Sequence, residues 1–252
     1  LLKVDCHTHW GRSWRQRDGE DPSPWLAITA RYGVTHAIVL PHQGLENAGA
    51  IREEHDHLAR VCARSGGRML PFCTGCAWET DAPVEVRRCL ATLGFRGIKF
   101  HPWLQGCSVS SPMMDQIAEL AGEFDVPMLF HDGTPPFSLP SQMALLAQRH
   151  PGTKIILGHS GLFEHYREAA AAVNACDNLW ACLCGPHVQG LRHLLARVPV
   201  QRLLWGTDFG YSLADVFAYR DALTDLLNLS DGQRRAMFQD NPASLLRLQR
   251  QG

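Results

Sequence analysis

Net charge, long apolar runs and a phosphate-binding glycine loop are all missing from this 252-residue chain. With 24 basic residues against 25 acidic ones, no long-range field selects nucleic acid or an anionic membrane, so neither is expected as a partner. The expected partner is a small-molecule substrate, chosen by local contacts, and the sequence leaves open whether the chain forms a homo-oligomer. No apolar run approaches the roughly 20 residues that span a bilayer, and the first residues show no signal-peptide pattern. The nine cysteines, at 6, 62, 73, 76, 89, 107, 176, 182 and 184, are odd in number and lack the regular spacing of a disulfide framework. A reducing, cytoplasmic setting is therefore expected. No repeat, low-complexity stretch or linker divides the chain, so residues 1–252 read as one domain.

What is present is a regular alternation. Hydrophobic residues make up 45% and charged ones 19%, an ordinary globular composition. Short apolar, β-type runs end near His9, Leu40, Thr74, Phe100, His131, Gly158, Leu183 and Gly206. Helical stretches lie between them, opened by Ser23-Pro24, Asp81-Ala82-Pro83 and Ser111-Pro112 and closed by Gly33, Gly66-Gly67 and Gly94. One of these is expected over 46–64, and a terminal one from Leu213 onward. Alternating β and α units imply a parallel sheet. Eight of them in about 250 residues favour a closed (β/α)8 TIM barrel over an open doubly wound sheet, which would show a glycine-rich turn after its first strand.

In such a barrel, chemistry sits at the carboxyl ends of the strands. His7 and His9, two apart on the first strand, point the same way and can chelate one ion. Asp5, on the same face by alternation, is placed to accept an imidazole N–H. The fourth strand carries Lys99 and His101, also two apart; the fifth ends in His131, the sixth in His159 and the eighth in Asp208. Each has a structural alternative: His131 as a turn residue before Asp132-Gly133, Asp208 as a helix cap, His159 as a satisfied core histidine. Their joint placement at strand ends favours a metal site.

Val4-Asp5-Cys6-His7-Thr8-His9, Gly97-Ile98-Lys99-Phe100-His101-Pro102, Leu157-Gly158-His159-Ser160-Gly161 and Trp205-Gly206-Thr207-Asp208 resemble the motifs of the amidohydrolase superfamily. The resemblance is to the branch that includes aminocarboxymuconate semialdehyde decarboxylase and related small hydrolases. It spans nearly the whole chain, through Asp240-Asn241-Pro242-Ala243. It implies that His7, His9, His131 and Asp208 hold one divalent ion, zinc in the first instance, with manganese as the alternative. Such an ion would bring the pKa of a bound water toward about 7. Asp208 and His159 would then act as acid–base groups, in hydrolysis of a small amide, ester or lactone. The same site could instead serve non-oxidative decarboxylation. A barrel that binds metal or ligand without turnover ranks below both. A second metal is expected only if Lys99 is carboxylated; otherwise its ammonium binds substrate or pairs with a nearby carboxylate.

Other substrate contacts are expected from His101, Trp10, Arg12 and Trp103, the tryptophans as apolar walls and the arginine as a carboxylate anchor from the loop after the first strand. Cys73-Thr-Gly-Cys76 has redox or zinc spacing but no second such pair, and packing is the better account. His55-Asp56-His57 falls in a helical pattern and reads as solvated surface. His42 to Leu45, after the second strand, is placed to reach the mouth.

Overall fold

The computed structural model describes residues 2–10, 19–76, 80–212 and 214–248. Strands β1 (Val4–His9), β2 (His36–Leu40), β3 (Met69–Cys73), β4 (Gly97–Phe100), β5 (Met128–Phe130), β6 (Ile155–Leu157), β7 (Leu179–Cys182) and β8 (Leu203–Leu204) form one parallel sheet in sequential order. The segment after β8 returns to β1, where the Cys6 N–H donates to Trp205 O at 2.9 Å and the Asp208 N–H to His7 O at 2.7 Å. A (β/α)8 TIM barrel results.

Helices α1 (Ser23–Arg31), α2 (Gln43–Glu46), α3 (Ile51–Ala63), α4 (Ala82–Thr92), α5 (Pro102–Gln105), α6 (Pro112–Glu123), α7 (Pro140–Arg149), α8 (Tyr166–Ala175), α9 (Val188–Arg197), α10 (Val216–Asp225), α11 (Asp231–Arg235) and α12 (Asn241–Leu245) connect the strands and close the chain. Proline at the first helical turn costs no hydrogen bond there, and it starts α1, α4, α6 and α7. The helix expected over 46–64 is interrupted, because Asn47 is extended and a 3-10 turn, Ala48–Ala50, precedes α3. The terminal helix is likewise broken into three short helices and a π segment. Among the described residues, no helix is long and apolar enough to cross a membrane.

Strand alternation divides the core into two layers. Ile155, Leu157, Leu179, Ala181 and Leu203 pack with Leu58, Ile117 and Leu194 of the helices. Their neighbours Ile156, Cys182 and Leu204 pack with Val4, Cys6, Ile38 and Leu129 inside the barrel. Lys99, flanked by the helix-facing Ile98 and Phe100, is thereby turned into the interior at 1% exposure. α12 seals one end: Leu245 and Leu246 join the interior cluster, and the Asn241 side-chain amide donates to Val200 O and Leu203 O, both at 2.7 Å.

Candidate metal centre

Close backbone approach at two strand ends surrounds His7. A Cβ on Gly158 would collide with Phe130 O, and one on Gly206 would stand 2.6 Å from Cys182 Sγ and 3.0 Å from His7 Cβ. Glycine there lets β6 and β8 close on the histidine. The His7 Nδ1 faces Gly158 O at 3.0 Å, and the His9 Nδ1 faces Pro41 O at 2.9 Å. A carbonyl can only accept, so each ring carries its proton on Nδ1 and turns a lone pair on Nε2 inward. Burial, followed by the charge of Lys99, holds both imidazoles well below their ordinary pKa, so both are neutral.

Asp208 Oδ1 lies 3.4 Å from the Nε2 of both His7 and His9. That oxygen is buried and has no hydrogen-bond partner. Asp208 Oδ1 thus faces two imidazole lone pairs without a donor of its own, with the Lys99 ammonium 3.5 Å from His7 Nε2 at the edge of the group, an arrangement that a shared cation would relieve. The spacing fits one: bonds of about 2.0–2.1 Å to a tetrahedral zinc put its ligands about 3.3–3.4 Å apart. The fit is enforced, since Asp208 is held in the left-handed region at φ 65°.

Three expectations are corrected. Asp5 orients no imidazole; it is fully buried, and its carboxylate accepts the backbone N–H groups of His7 and Thr207, both at 3.1 Å, and the Thr207 hydroxyl at 2.6 Å. The β1–β2 register shifts between Asp5 and Thr8, which upsets simple alternation. Asp5 therefore ties β1 to the strand-8 end, and burial raises its pKa to about 7. Trp10, expected as a wall of the site, is 3% exposed, packs against Trp25 in the helix-facing core and points Nε1 at His57. His55 is not solvated: it is fully buried between Glu85 and Thr74, whose backbone N–H it accepts at 3.0 Å.

The remaining predicted residues are placed as follows. His7, His9 and Asp208 have ligand atoms within 4.8 Å of one another; among the described residues, His131 belongs to no such group of three. Its ring stacks on His101 at 3.8 Å, meets His159 edge-on at 4.4 Å and has Nε2 3.0 Å from the Thr134 hydroxyl. Burial, then Lys99, pushes its pKa down to about 3. Lys99 Nζ is 3.5 Å from His7 Nε2. His101 also caps α5, accepting the Leu104 N–H on Nδ1, and Trp103 beside it is 54% exposed. Arg12 lies outside the described residues.

Two site residues escaped the sequence reading. Asp132, directly after His131, is fully buried and accepts the N–H groups of His159 and Gly161, both at 2.6 Å, so it sets the loop that carries His159. Cys184 Sγ lies 3.3 Å from His159 Nδ1 and donates to Gly158 O at 2.9 Å. All nine cysteines are free and buried.

Burial lowers the Lys99 pKa from 10.5 to about 8. A buried ammonium that loses its proton more readily than in the unfolded chain costs stability below pH 8, and the cost is lifted as pH rises toward 10.5. The stability of the metal-free protein, measured relative to Lys99→Met by urea unfolding, is expected to rise by about 3 kcal/mol over that window. A flat difference would contradict the placement.

A (β/α)8 barrel with imidazoles and a carboxylate converging at its strand ends defines the class of metal-dependent barrel enzymes. The family model described as Amidohydrolase matches residues 4–248, and the chain belongs to that family. No curated protein matches the sequence. Among solved structures, it is similar to 2,6-dihydroxybenzoate decarboxylase from Rhizobium, with 18% identity, 98% of this chain and 99% of that one covered, and a TM-score of 0.76. It is also similar to dihydroxybenzoic acid decarboxylase from Polaromonas, solved with manganese and the inhibitor 2-nitroresorcinol, at 16% identity, 98% and 97% coverage and TM-score 0.74. A probable 2-pyrone-4,6-dicarboxylic acid hydrolase from Acinetobacter baumannii, with citric acid bound, matches at 11% identity, 98% and 100% coverage and TM-score 0.74.

Proposed function

We propose that the chain is a mononuclear metal-dependent hydrolase acting at the carbonyl of a small amide, ester or lactone. The observation that carries this reading is that Asp208 Oδ1, which has no hydrogen-bond partner, lies 3.4 Å from both His7 Nε2 and His9 Nε2, whose Nδ1 atoms are turned to backbone carbonyls. His7, His9 and Asp208 would hold the ion, and His131, whose ring meets that of His159 at 4.4 Å while His159 lies 4.6 Å from the ring of His7, would complete the set. Zinc suits three neutral imidazoles and one carboxylate, and manganese is the alternative. A divalent ion supplies Lewis acidity there, acidifying water and polarising a carbonyl oxygen.

The protein's own groups do the rest. Asp208 takes a proton from the attacking water as its oxygen bonds to the carbonyl carbon. His159, with Nδ1 turned to Cys184, has Nε2 left to take that proton from Asp208; as an imidazolium it stabilises the developing oxyanion and returns the proton to the leaving group as the C–N or C–O bond breaks. His101, Trp103 and Arg12 are proposed substrate contacts.

Lys99 favours a second reading. A buried ammonium 3.5 Å from His7 Nε2 suits a substrate carboxylate, and the same residues could then serve non-oxidative decarboxylation, with His159 protonating the carbon that loses carbon dioxide. One experiment separates the two. Metal-loaded protein is incubated in ¹⁸O-water with a panel of small carboxylated lactones, amides and aromatic acids. Label in the product without released gas supports hydrolysis; released carbon dioxide without label establishes decarboxylation, and no turnover by protein holding one metal per chain counts against both.

A further inference from the structure

Two side chains beside the metal position have polar atoms with no partner. His42, after β2, is fully buried; one ring nitrogen is directed to the Gly210 backbone and the other has no hydrogen-bond partner among the described residues. Tyr211, three residues past Asp208, has a buried hydroxyl that is likewise unpartnered. The two rings meet edge to face with centroids 4.2 Å apart, and they lie 4.8 and 4.4 Å from the ring of His9. Native proteins seldom leave buried polar groups unpaired unless an ion, a water or a ligand takes them up.

The fold also prevents His42 from turning away. Glu54 on α3, itself buried, accepts the N–H groups of His42 at 2.8 Å, Gln43 at 2.9 Å and Gly44, which pins the turn between β2 and α2. With its N–H directed to Gly210, the His42 ring offers a lone pair, and the Tyr211 phenol offers an O–H. Two carboxylates stand on this side of the site, Glu54 on the backbone of His42 and Asp208 3.4 Å from His9 Nε2, and they disfavour a further carboxylate there. The cationic Lys99 is on β4, beside His7.

We propose that His42 and Tyr211 form a subsite that reads a neutral hydroxyl or carbonyl group on a small carboxylic acid whose carboxylate lies toward Lys99. The subsite rests on the metal-centre reading and supplies its specificity. Phenylacetate, mandelate and phenylmalonate test it, since they carry a hydrogen, a hydroxyl or a second carboxylate on the carbon next to the first carboxylate. Calorimetric titration of the metal-loaded protein is expected to show mandelate binding about tenfold more tightly than phenylacetate, and phenylmalonate more weakly than either. Tyr211→Phe and His42→Leu should each reduce mandelate to the affinity of phenylacetate with metal content unchanged. Should His42→Leu fail to fold, Tyr211→Phe, which removes one oxygen, decides alone. Equal affinities in the unaltered protein, no binding of any probe, or discrimination that survives the substitutions overturns the subsite while the measured metal content still supports the centre. Failure to hold metal overturns both.

Discussion

Asp208→Asn is expected to empty the metal centre. The substitution keeps the size of the side chain and tolerates the left-handed backbone at φ 65°, where alanine would add strain of its own. It replaces an anionic ligand by an amide, and its Nδ2 can donate to the inward lone pairs of His7 and His9. Two effects of opposite sign follow. Metal affinity should fall by more than the 10–100-fold typical of losing an outer partner of a ligand. The metal-free variant should nevertheless unfold at higher urea than the metal-free parent, because a donor now stands where an acceptor faced two acceptors. Metal content after dialysis and urea unfolding with chelator present read the two effects. Undiminished occupancy would remove Asp208 from the ligand set.

Both outcomes depend on placement that the sequence shows only in part. The barrel was legible because the strands are short apolar runs, most of them stopped by a glycine, histidine or threonine, and because helix starts carry serine–proline or aspartate–alanine–proline signals. His7, His9 and Asp208 were legible for the same reason: strand ends in this fold converge, so polar residues there meet whatever lies between them in sequence. Alternation also turns Lys99 inward, between two residues that face the helices. The limits came from long-range contacts. Asp5 was assigned to an imidazole by counting residues along an ideal strand, and the register shift in β1 breaks that count. Asp132 acts on amides 27 and 29 residues away, and Cys184 meets a histidine 25 residues upstream, so neither leaves a local pattern. Trp10 stands beside His9 in sequence yet packs on Trp25, because the chain leaves β1 toward the helix layer.

His159→Asn is expected to separate chemistry from metal binding. The backbone N–H of residue 159, which Asp132 accepts at 2.6 Å, survives the substitution, so the loop stays anchored. His7, His9 and Asp208 are untouched, and metal content should remain that of the parent. Turnover, read on whichever substrate the labelled-water and carbon dioxide assays identify, should fall by about 10²–10⁴-fold, the usual contribution of a positioned acid–base group. Asp132→Asn is the matched control. It loosens the loop while sparing the imidazole, so a partial loss shared between kcat and KM is expected, against a loss confined mainly to kcat for His159→Asn. Near-normal turnover in His159→Asn would leave Asp208 to move protons alone and would remove His159 from the reaction.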